Sequence, residues 1–438
     1  MTVESVPGST IRNRRQMSIA TRRRNIPAIL FRAILFDVIS RAQRLLTPRI
    51  DSSVHELEVW PGANTEQELG DLVNRAAWYL ASDRHIKIFC QDSFFDSLGH
   101  ASKISTPASQ HRLIETLPAH IQLLPRREYS LEQRNGVLLN NWLASARMLV
   151  TRRRFSIIDP LFYSLAECNN WSSLQHQLMA EDAKRALHYI SKNNFQKFIE
   201  SLGNPENAYV FTTGPSLDRA GEFDYKPDSA RIICNSMVKN IPLLDRIKPN
   251  LLVFADPVFH FGPSRYAHEF REKAVKVIEK YGCYCMVPEG KMSLMLEHYP
   301  GIRDRLIGMP INRSKWNFPN DRNFFVRTTR NIMTLLMVPV ASSFARNVYI
   351  IGADGRSPKE KYFWKHSGTN QFEDLMESVM ETHPSFFRDR IYTRYYAEHC
   401  RIVADQIEYG EANGVNYYSM TPSEIPALKS RPINTSLI

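Results

Sequence analysis

The sequence predicts an α/β protein of two domains, each built on a largely parallel β-sheet. A chain of 438 residues is too long for a single ordinary core. Its composition, 43% hydrophobic and 23% charged, is that of a globular protein. Short β-rich runs alternate with helical stretches of fitting length, most clearly after residue 205, and this alternation is typical of parallel sheets.

The positive charge of the chain is concentrated at its N-terminus. Residues 1–50 contain ten arginines against Glu4 and Asp37, so eight of the eleven net positive charges lie there. The remainder of the chain is close to neutral for its length. The charge therefore indicates a basic N-terminal segment, and we expect no nucleic-acid partner for the body of the protein.

Residues 1–25 lack hydrophobic periodicity, and we expect them to be disordered. Residues 27–46 predict a mostly apolar helix with Asp37, Arg41 and Arg44 on one side. One interpretation is a basic amphipathic helix that rests on an anionic membrane. The other is a helix that docks on its own protein, and the sequence does not separate the two.

The cellular compartment follows from the cysteines and the hydrophobic runs. The six cysteines are sparse and form no Cys-x-x-Cys pair, which is typical of a reducing compartment. The longest apolar run, residues 26–36, is interrupted by Arg32, so no stretch reaches the roughly 18 residues of a membrane span. We expect neither a membrane span nor a cleaved signal, and a cytoplasmic location, with peripheral contact at the inner face of the membrane as an option.

The first domain is predicted over residues 51–203, after the tail at 1–50. Its patterns indicate helices at 65–82, 130–146 and 173–202, and strands at 85–90, 121–125, 148–151 and 155–159. The long helix ends at Gly203-Asn204-Pro205, which marks the boundary to the second domain. No motif reveals the role of this domain, and acceptor recognition is our hypothesis.

The second domain, residues 204–438, is predicted as a doubly wound sheet, whose ligands bind beyond the carboxyl ends of the strands. Functional residues should therefore follow the strands directly. The predicted strands are 208–213, 231–235, 250–255, 283–288, 347–352 and 415–420, and the predicted helices are 263–281, 328–346 and 391–413.

A turn that fits anion binding follows the first of these strands, at Thr213-Gly214-Pro215-Ser216. Gly214 permits close approach of a ligand, and Pro215 suits the first turn of a helix. The backbone N–H groups of that turn and the Ser216 hydroxyl would bind an anion. The spacing matches neither the dinucleotide-binding fingerprint nor the P-loop, so neither motif is supported.

Polar residues also end the next two strands, at Asn235 and Asp256. Three strand ends therefore bring polar groups to one edge of the sheet, where an amide reads a base or a ribose. Asn and Asp also cap helices and turns, and this second explanation stays open.

These motifs resemble a known family. Gly214-Pro215-Ser216-Leu217, the Arg-x-x-Cys-Asn pattern that ends at Asn235, and the Gly-Ala-Asp sequence that ends at Asp354 resemble bacterial lipooligosaccharide sialyltransferases. The related motility-associated factor and hydroxymethylpterin pyrophosphokinase-like proteins are similar as well. The resemblance covers residues 208–425.

With the first domain predicted from its patterns, the fold class is two Rossmann-like α/β domains, and the resemblance implies that the C-terminal one carries an inserted lid at residues 355–390. It implies a metal-independent enzyme that binds CMP-sialic acid and requires no cofactor beyond this nucleotide-sugar donor. Where the family usually has Asn, this chain has Thr213, which leaves the nucleotide open. The residues implied at the donor are Thr213, Gly214, Pro215, Ser216, Asn235, Asp256, Thr328, Thr329, Asn331 and Asp354.

The predicted lid and its exit are rich in groups that suit glycosyl transfer. Such transfer needs a base for the acceptor hydroxyl and a group that offsets charge on the departing phosphate. We expect His383 to be the base, ahead of His366, and Tyr362 or Tyr392 to assist at the phosphate, although a single histidine is more often a surface or cap residue. The other candidates in this segment are Arg356, Lys361, Trp364 and Lys365.

The sequence thus predicts a glycosyltransferase that moves sialic acid or a related acidic sugar from a CMP-type donor to a cell-surface glycan precursor, free or lipid-linked. We expect no metal, because Asp256 and Asp354 lack a second carboxylate at ligand spacing. One alternative is a pyrophosphokinase-like transferase, in which these two aspartates would hold magnesium with ATP. Another is a nucleotide-binding assembly protein that has lost catalysis.

Overall fold

The computed structural model of the chain describes residues 26–98, 104–130, 135–163, 166–313, 315–356, 370–389 and 392–432. It contains a five-stranded and a seven-stranded sheet, and every strand pair in both is parallel. The α/β class and the parallel sheets predicted from the sequence are therefore confirmed.

The five-stranded sheet belongs to the first half of the chain and has the strand order β3-β2-β1-β4-β5. Its strands are β1 Glu56–Ala63, β2 His85–Cys90, β3 Ile121–Pro125, β4 Gly136–Leu139 and β5 Phe155–Ile157. The helices of this half are α1 Ile26–Leu46, α2 Glu66–Tyr79, α3 Asp92–Leu98, α4 Ser145–Val150, α5 Ala166–Leu178 and α6 Glu181–Ser201.

Several predictions for this half were wrong. The helix predicted at 130–146 is interrupted by β4, a fully buried four-residue strand whose short apolar run has no visible period. The strand predicted at 148–151 belongs to α4, and the helix predicted at 173–202 is two helices, α5 and α6. Strand β1 was missed because Pro61 and Gly62 near its end oppose a strand assignment.

The seven-stranded sheet has the order β10-β9-β8-β7-β6-β13-β14. Six of its strands lie within about two residues of their predicted positions, and β10 was missed. The strands are β6 Asn207–Phe211, β7 Ser229–Cys234, β8 Leu251–Val253, β9 Tyr284–Pro288, β10 Leu306–Met309, β13 Asn347–Ile351 and β14 Asn416–Ser419, and β11 Ile311–Asn312 and β12 Val326–Arg327 form a separate pair.

Helices connect these strands as a doubly wound sheet requires. None of the helices in the described part of the chain is long and apolar enough to cross a membrane. The helices are α7 Ile241–Ile247, α8 Arg265–Tyr281, α9 Glu289–His298, α10 Val338–Ala341, α11 Met376–Thr382, α12 Pro384–Asp389, α13 Tyr392–Ala412 and α14 Pro426–Lys429, with a π-helical turn at Met333–Met337 before α10.

The two halves of the chain share one hydrophobic core cluster, which contains Val73 and Trp171 from the first half and Phe270 from the second. Trp78 of α2 enters the second half, where its indole N–H donates to the Phe261 carbonyl at 2.8 Å. The guanidinium of Arg271 lies 3.8 Å from the centre of the Trp78 ring. The sheets are therefore packed together through buried side chains.

A pair of histidines also joins the halves. The rings of His111, from the first half, and His268, on α8, stack with centroids 3.4 Å apart. Burial, His111 and Arg271 lower the pKa of His268 to about 4, and burial with Arg271 also lowers the pKa of His111. Both rings are thus held neutral at the interface.

This pair predicts a loss of stability in acid. The unfolded pKa of histidine is about 6.5, so the unfolded chain binds more protons than the folded one between about pH 6.5 and pH 4. The free energy of unfolding is therefore undiminished by this pair above the window, and it falls as the pH decreases through the window. We expect the melting temperature to drop across the window, and to drop less in His268→Gln than in the exposed-site control His55→Gln. Equal slopes in the two variants would contradict this role.

Candidate functional site

The strand order of the seven-stranded sheet reverses between β6 and β13. From β6 the chain builds β7 to β10 on one side, and β13 and β14 lie on the other. Ligands of doubly wound sheets bind at such a reversal, beyond the carboxyl ends of the strands. The loops at this point contain Gly214 after β6 and Gly352 and Asp354 after β13. We call the carboxyl ends of β6, β7, β8, β13 and β14 the strand-end edge.

Gly214 and Gly352 allow these two loops to meet. The Gly214 N–H donates to the Gly352 carbonyl at 2.9 Å. A Cβ at Gly214 would lie 2.2 Å from Asp354 Oδ2, and Gly352 has a φ of +77° that favours glycine. The predicted close approach at Gly214 is therefore real, but the group that approaches is the Asp354 carboxylate.

The Asp354 carboxylate binds the backbone N–H at the start of the Pro215 helix, where we expected an anionic ligand. The Ser216 N–H donates to its carboxylate at 3.1 Å, and the Ser216 hydroxyl donates to Thr421 Oγ1, which follows β14, at 2.8 Å. A phosphate at the same N–H would meet the negative charge of Asp354. Pro215 begins the short 3₁₀ helix Pro215–Glu222, as predicted, and Thr213 is buried beside it.

Asn235, which directly follows β7, has an unusual backbone conformation and a buried side-chain oxygen without a hydrogen bond from the described residues. Its backbone φ is +51°, in the left-handed region that few residues other than glycine adopt. Its side-chain Oδ1 is buried and accepts no hydrogen bond from any described residue. A strained backbone and an unsatisfied buried acceptor both cost free energy, of order 1–3 kcal/mol each, and such costs concentrate at binding sites.

Asp256, after β8, has a local role. Its Oδ1 accepts from the backbone N–H groups of Val258 and Phe259, at 2.9 and 3.2 Å, and so caps a turn. The Asp256 N–H donates to Nδ1 of His260 at 3.1 Å. Burial and Arg271 lower the pKa of His260 to about 3, so this ring is a neutral acceptor. The capping explanation fits Asp256 better than ligand binding does.

The residues before α10 that were predicted to contact the nucleotide-sugar donor also form hydrogen bonds with the backbone. Asn331 Oδ1 accepts from the Met333 N–H at 2.9 Å and caps the π-helical turn. The Thr328 N–H donates to the Asn312 carbonyl at 2.7 Å, and the Thr329 hydroxyl donates to the Asn331 carbonyl at 3.3 Å. Thr328 is exposed and Asn331 is partly exposed, so their side chains remain open to a ligand only at the surface.

Much of the predicted lid lies outside the described residues. This is so for Lys361, Tyr362, Trp364, Lys365 and His366, and for the side chain of Tyr392, whose backbone begins α13. Arg356 is described. The Arg356 guanidinium lies 5.0 Å from the centre of the Tyr396 ring, and the Arg356 backbone N–H donates to the Tyr396 hydroxyl at 3.1 Å.

The chain from Asn370 to Asp389 crosses from the strand-end edge to the first half of the protein. We call residues 370–389 the crossing segment. Asn370 donates to Asp218, in the helix after β6, and accepts from Asn240, which follows β7. At the other end, the Ser385 N–H donates to the Pro160 carbonyl at 3.3 Å. The crossing segment therefore contacts the strand-end edge at one end and the first half of the protein at the other.

His383, our predicted base, is buried within this segment. Only 1% of its side chain is exposed, and its Nδ1 lies 2.8 Å from Glu167 Oε2. Its Nε2 faces Gly262, where a Cβ would lie 2.7 Å away, and Nε2 has no hydrogen-bond partner among the described residues. The structure thus brings His383 to the interface of the two halves, where no acceptor substrate reaches it.

Glu167 is the centre of a buried charge network. Its other oxygen pairs with Nη1 of Arg75 on α2, and Arg75 also contacts Asp71 at 2.9 Å. The Arg75 Nη2 donates to the Thr382 carbonyl at 2.7 Å. Burial alone would raise the pKa of Glu167, but His383 and Arg75 outweigh it and hold that pKa below its ordinary value.

This geometry gives His383 a positioning role. Glu167 and Arg75 fix the end of α11 and His383 to the first half of the protein. The general-base role that the family resemblance implies would require the segment to move away from Gly262. That role stays a prediction.

Sequence reasoning missed four residues at these places. Thr421 and Ser423 follow β14, and Ser423 donates to the Ala353 carbonyl at 2.6 Å. The rule that polar residues follow strands would have found both, because β14 was predicted. Glu167 and Arg75 carried no signal, since each stands alone in a helix.

The described residues contain no metal site, and a cavity lies away from the strand-end edge. No group of three or more His, Cys, Asp or Glu side chains within the described ranges could hold a metal ion. A cavity of about 1020 Å³ lies instead in the first half, against β2, α3 and β3, where His85, Phe94 and His120 line it.

Comparison with known proteins gives no match, whether with protein-family models, with curated proteins or with solved structures. The resemblance to the sialyltransferases therefore rests on the motifs in this sequence alone.

The network predicts that His383 matters for stability. His383→Ala leaves one oxygen of a buried carboxylate without its partner, at an expected cost of about 1–3 kcal/mol in urea unfolding. His188→Ala is the matched control, since His188 pairs with Glu289 at 2.7 Å but its side chain is 46% exposed, and such pairs contribute less than about 1 kcal/mol.

His383→Gln separates positioning from base catalysis. Glutamine can still donate to Glu167, so this variant should regain much of the stability that alanine loses, and retain activity with it. Equal stability of His383→Ala and His188→Ala would contradict the positioning role, whereas a stable but inactive His383→Gln would favour the base.

Proposed function

We propose that the strand-end edge binds the nucleotide of a CMP-type sugar donor, and that the protein transfers an acidic sugar such as sialic acid to a glycan precursor. The observation that carries the proposal is the buried, unpartnered Oδ1 of Asn235, held by a left-handed backbone beside the reversal of strand order. The fold indicates where a ligand would bind, and a ligand there could donate a hydrogen bond to the unpartnered Asn235 oxygen.

The groups at this edge favour the nucleoside over the phosphate. Asn235 Oδ1 and the Asp354 carboxylate are hydrogen-bond acceptors, which suit the amino group of cytosine and the ribose hydroxyls. The phosphate would bind on the side of Arg356, which directly follows the Gly-Ala-Asp loop. This assignment reverses our expectation that the Gly214-Pro215-Ser216 turn binds the phosphate.

The crossing segment fits a transfer reaction. It contacts Asp218 and Asn240 beside the strand ends, so it would cover a bound donor on that side. Exclusion of water favours transfer to a sugar hydroxyl over hydrolysis of the donor. The pyrophosphokinase-like alternative would need both Asp256 and Asp354 to bind magnesium, yet the Asp256 carboxylate already accepts two backbone N–H groups.

A panel of CMP, CDP, UDP and ATP, each with magnesium or with a chelator, tests the proposed nucleotide. We expect CMP to raise the melting temperature in both conditions and the other nucleotides to have smaller effects. Stabilisation by ATP only with magnesium would overturn the proposal in favour of the pyrophosphokinase-like alternative. No effect of any nucleotide would favour an assembly protein without a nucleotide site.

Asn235→Gly tests the residue itself. Glycine accepts the positive φ and removes the unsatisfied oxygen, so the free protein should be at least as stable as the wild type. CMP binding should weaken by up to about tenfold in a calorimetric titration, because one hydrogen bond is lost.

Asn204→Gly is the matched control, because Asn204 has a φ of +56° but is exposed in the turn before Pro205. It should change neither the CMP affinity nor the response to other nucleotides. Equal CMP affinity in the wild type and Asn235→Gly would remove Asn235 from the site.

A further inference from the structure

Helix α1 has two apolar faces, and only one of them is covered. Ile39 is buried in a hydrophobic cluster of the first half, Ile29 is buried as well, and Phe36 stacks on Tyr163 with centroids 5.3 Å apart. Arg32 forms an ion pair with Asp389 at 2.8 Å, at the end of the crossing segment. The helix is thus docked on its own protein, as one of our two interpretations proposed.

The opposite face of α1 is apolar and exposed. Phe31, Ile34 and Val38 follow one another at helical spacing, and 64%, 64% and 55% of their surfaces are accessible. Leu45, two turns further along the same face, is 84% exposed. Single exposed apolar residues are ordinary, but a row of them along one helix is a sign of an interaction surface.

Neighbouring segments extend this surface. Leu143 and Val150 are exposed on and beside α4, which packs against α1, and Leu161 is exposed next to Phe162, whose ring contacts Phe36. Of thirteen exposed large apolar side chains in the described part of the chain, nine belong to this surface. We call it the apolar face: Leu30, Phe31, Ile34, Val38, Leu45, Leu46, Leu143, Val150 and Leu161.

The charge around the apolar face is positive. Exposed arginines stand within the same segments, and the one acidic residue of α1, Asp37, pairs with Arg41 at 2.8 Å. Residues 1–25, which lead directly into α1, add six arginines and a single acidic residue, Glu4. The exposed arginines of the described segments are Arg41, Arg44, Arg49, Arg147 and Arg152.

We propose that the apolar face and these arginines bind the surface of an anionic lipid bilayer, with α1 lying flat in the headgroup region. Apolar side chains that penetrate the interface and arginines that meet lipid phosphates are the two components of such binding. A second copy of the chain is a poorer occupant, because two such faces would bring like charges together. The proposal is independent of the nucleotide site.

Flotation of the full-length protein with vesicles tests this surface. We expect binding to vesicles of phosphatidylglycerol and phosphatidylcholine, weak binding to phosphatidylcholine alone, and weaker binding as salt rises. The triple variant Phe31→Ser, Ile34→Ser, Val38→Ser should lose at least about tenfold in partitioning to the anionic vesicles.

The matched control is Ile241→Ser, Ile311→Ser, Met380→Ser, which removes three exposed apolar side chains outside the apolar face. It should bind vesicles as the wild type does. Because the control side chains are only 36%, 41% and 37% exposed, the melting temperature of each variant is measured to verify that it is folded under the flotation conditions.

Three results would overturn the proposal. The first is that the wild type fails to bind anionic vesicles. The second is that the Phe31, Ile34 and Val38 variant binds them as the wild type does, which would assign binding to the arginines alone. A concentration-dependent dimer that the same variant converts to a monomer would assign the face to a second copy of the chain.

Discussion

The arrangement of this protein depends on one buried carboxylate. Glu167 must stay ionised between Arg75 and His383, and their charge and hydrogen bonds offset the cost of its burial. Removing Arg75 would leave the buried carboxylate without its counter-charge, and removing His383 would leave one of its oxygens without a partner. Because His383 belongs to the crossing segment, whose other end contacts Asp218 and Asn240 near the strand-end edge, this interaction ties a part of the second half to the first half. The shape of the edge is therefore not a property of the seven-stranded sheet alone.

The sequence predicts the second half better than the first for a physical reason. Strands such as β6, β7 and β13 are almost entirely buried, rich in β-forming residues and followed within three residues by Gly or Asn, so the sequence shows both the strand and its end. In the first half, β4 is only four residues long and β1 contains Pro61 and Gly62, so neither has the period or the boundaries of a strand. Both are central in their sheet, where burial by neighbours decides the structure and local propensity does not.

At the candidate site, the sequence identifies positions but not partners. The rule that polar residues follow parallel strands gives Asn235 and Asp354, and it would have given Thr421. It cannot reveal that Asp354 accepts from Ser216, 138 residues earlier, or that His383 meets Glu167 across 216 residues. Such pairs form only when the chain folds, and they change what each residue can bind. Asp354 occupies the expected anion site, and the contact with Glu167 lies where His383, the candidate base, is buried. Asn235 remains the residue whose backbone strain and unsatisfied oxygen no contact within the described structure explains.

The apolar face and the strand-end edge are joined by one continuous path. Arg32 on the docked side of α1 pairs with Asp389, whose side chain is fully buried, and Asp389 ends the crossing segment. The segment then passes through His383 and its bond to Glu167, and its other end, Asn370, contacts Asp218 and Asn240 at the strand ends. Coupling between two sites requires a shared element that each site biases, and the crossing segment makes contacts at both places. A bilayer that stabilised the docked position of α1 would, through Asp389, also favour the position of the segment that covers a bound nucleotide, and by reciprocity the nucleotide would strengthen binding to the bilayer.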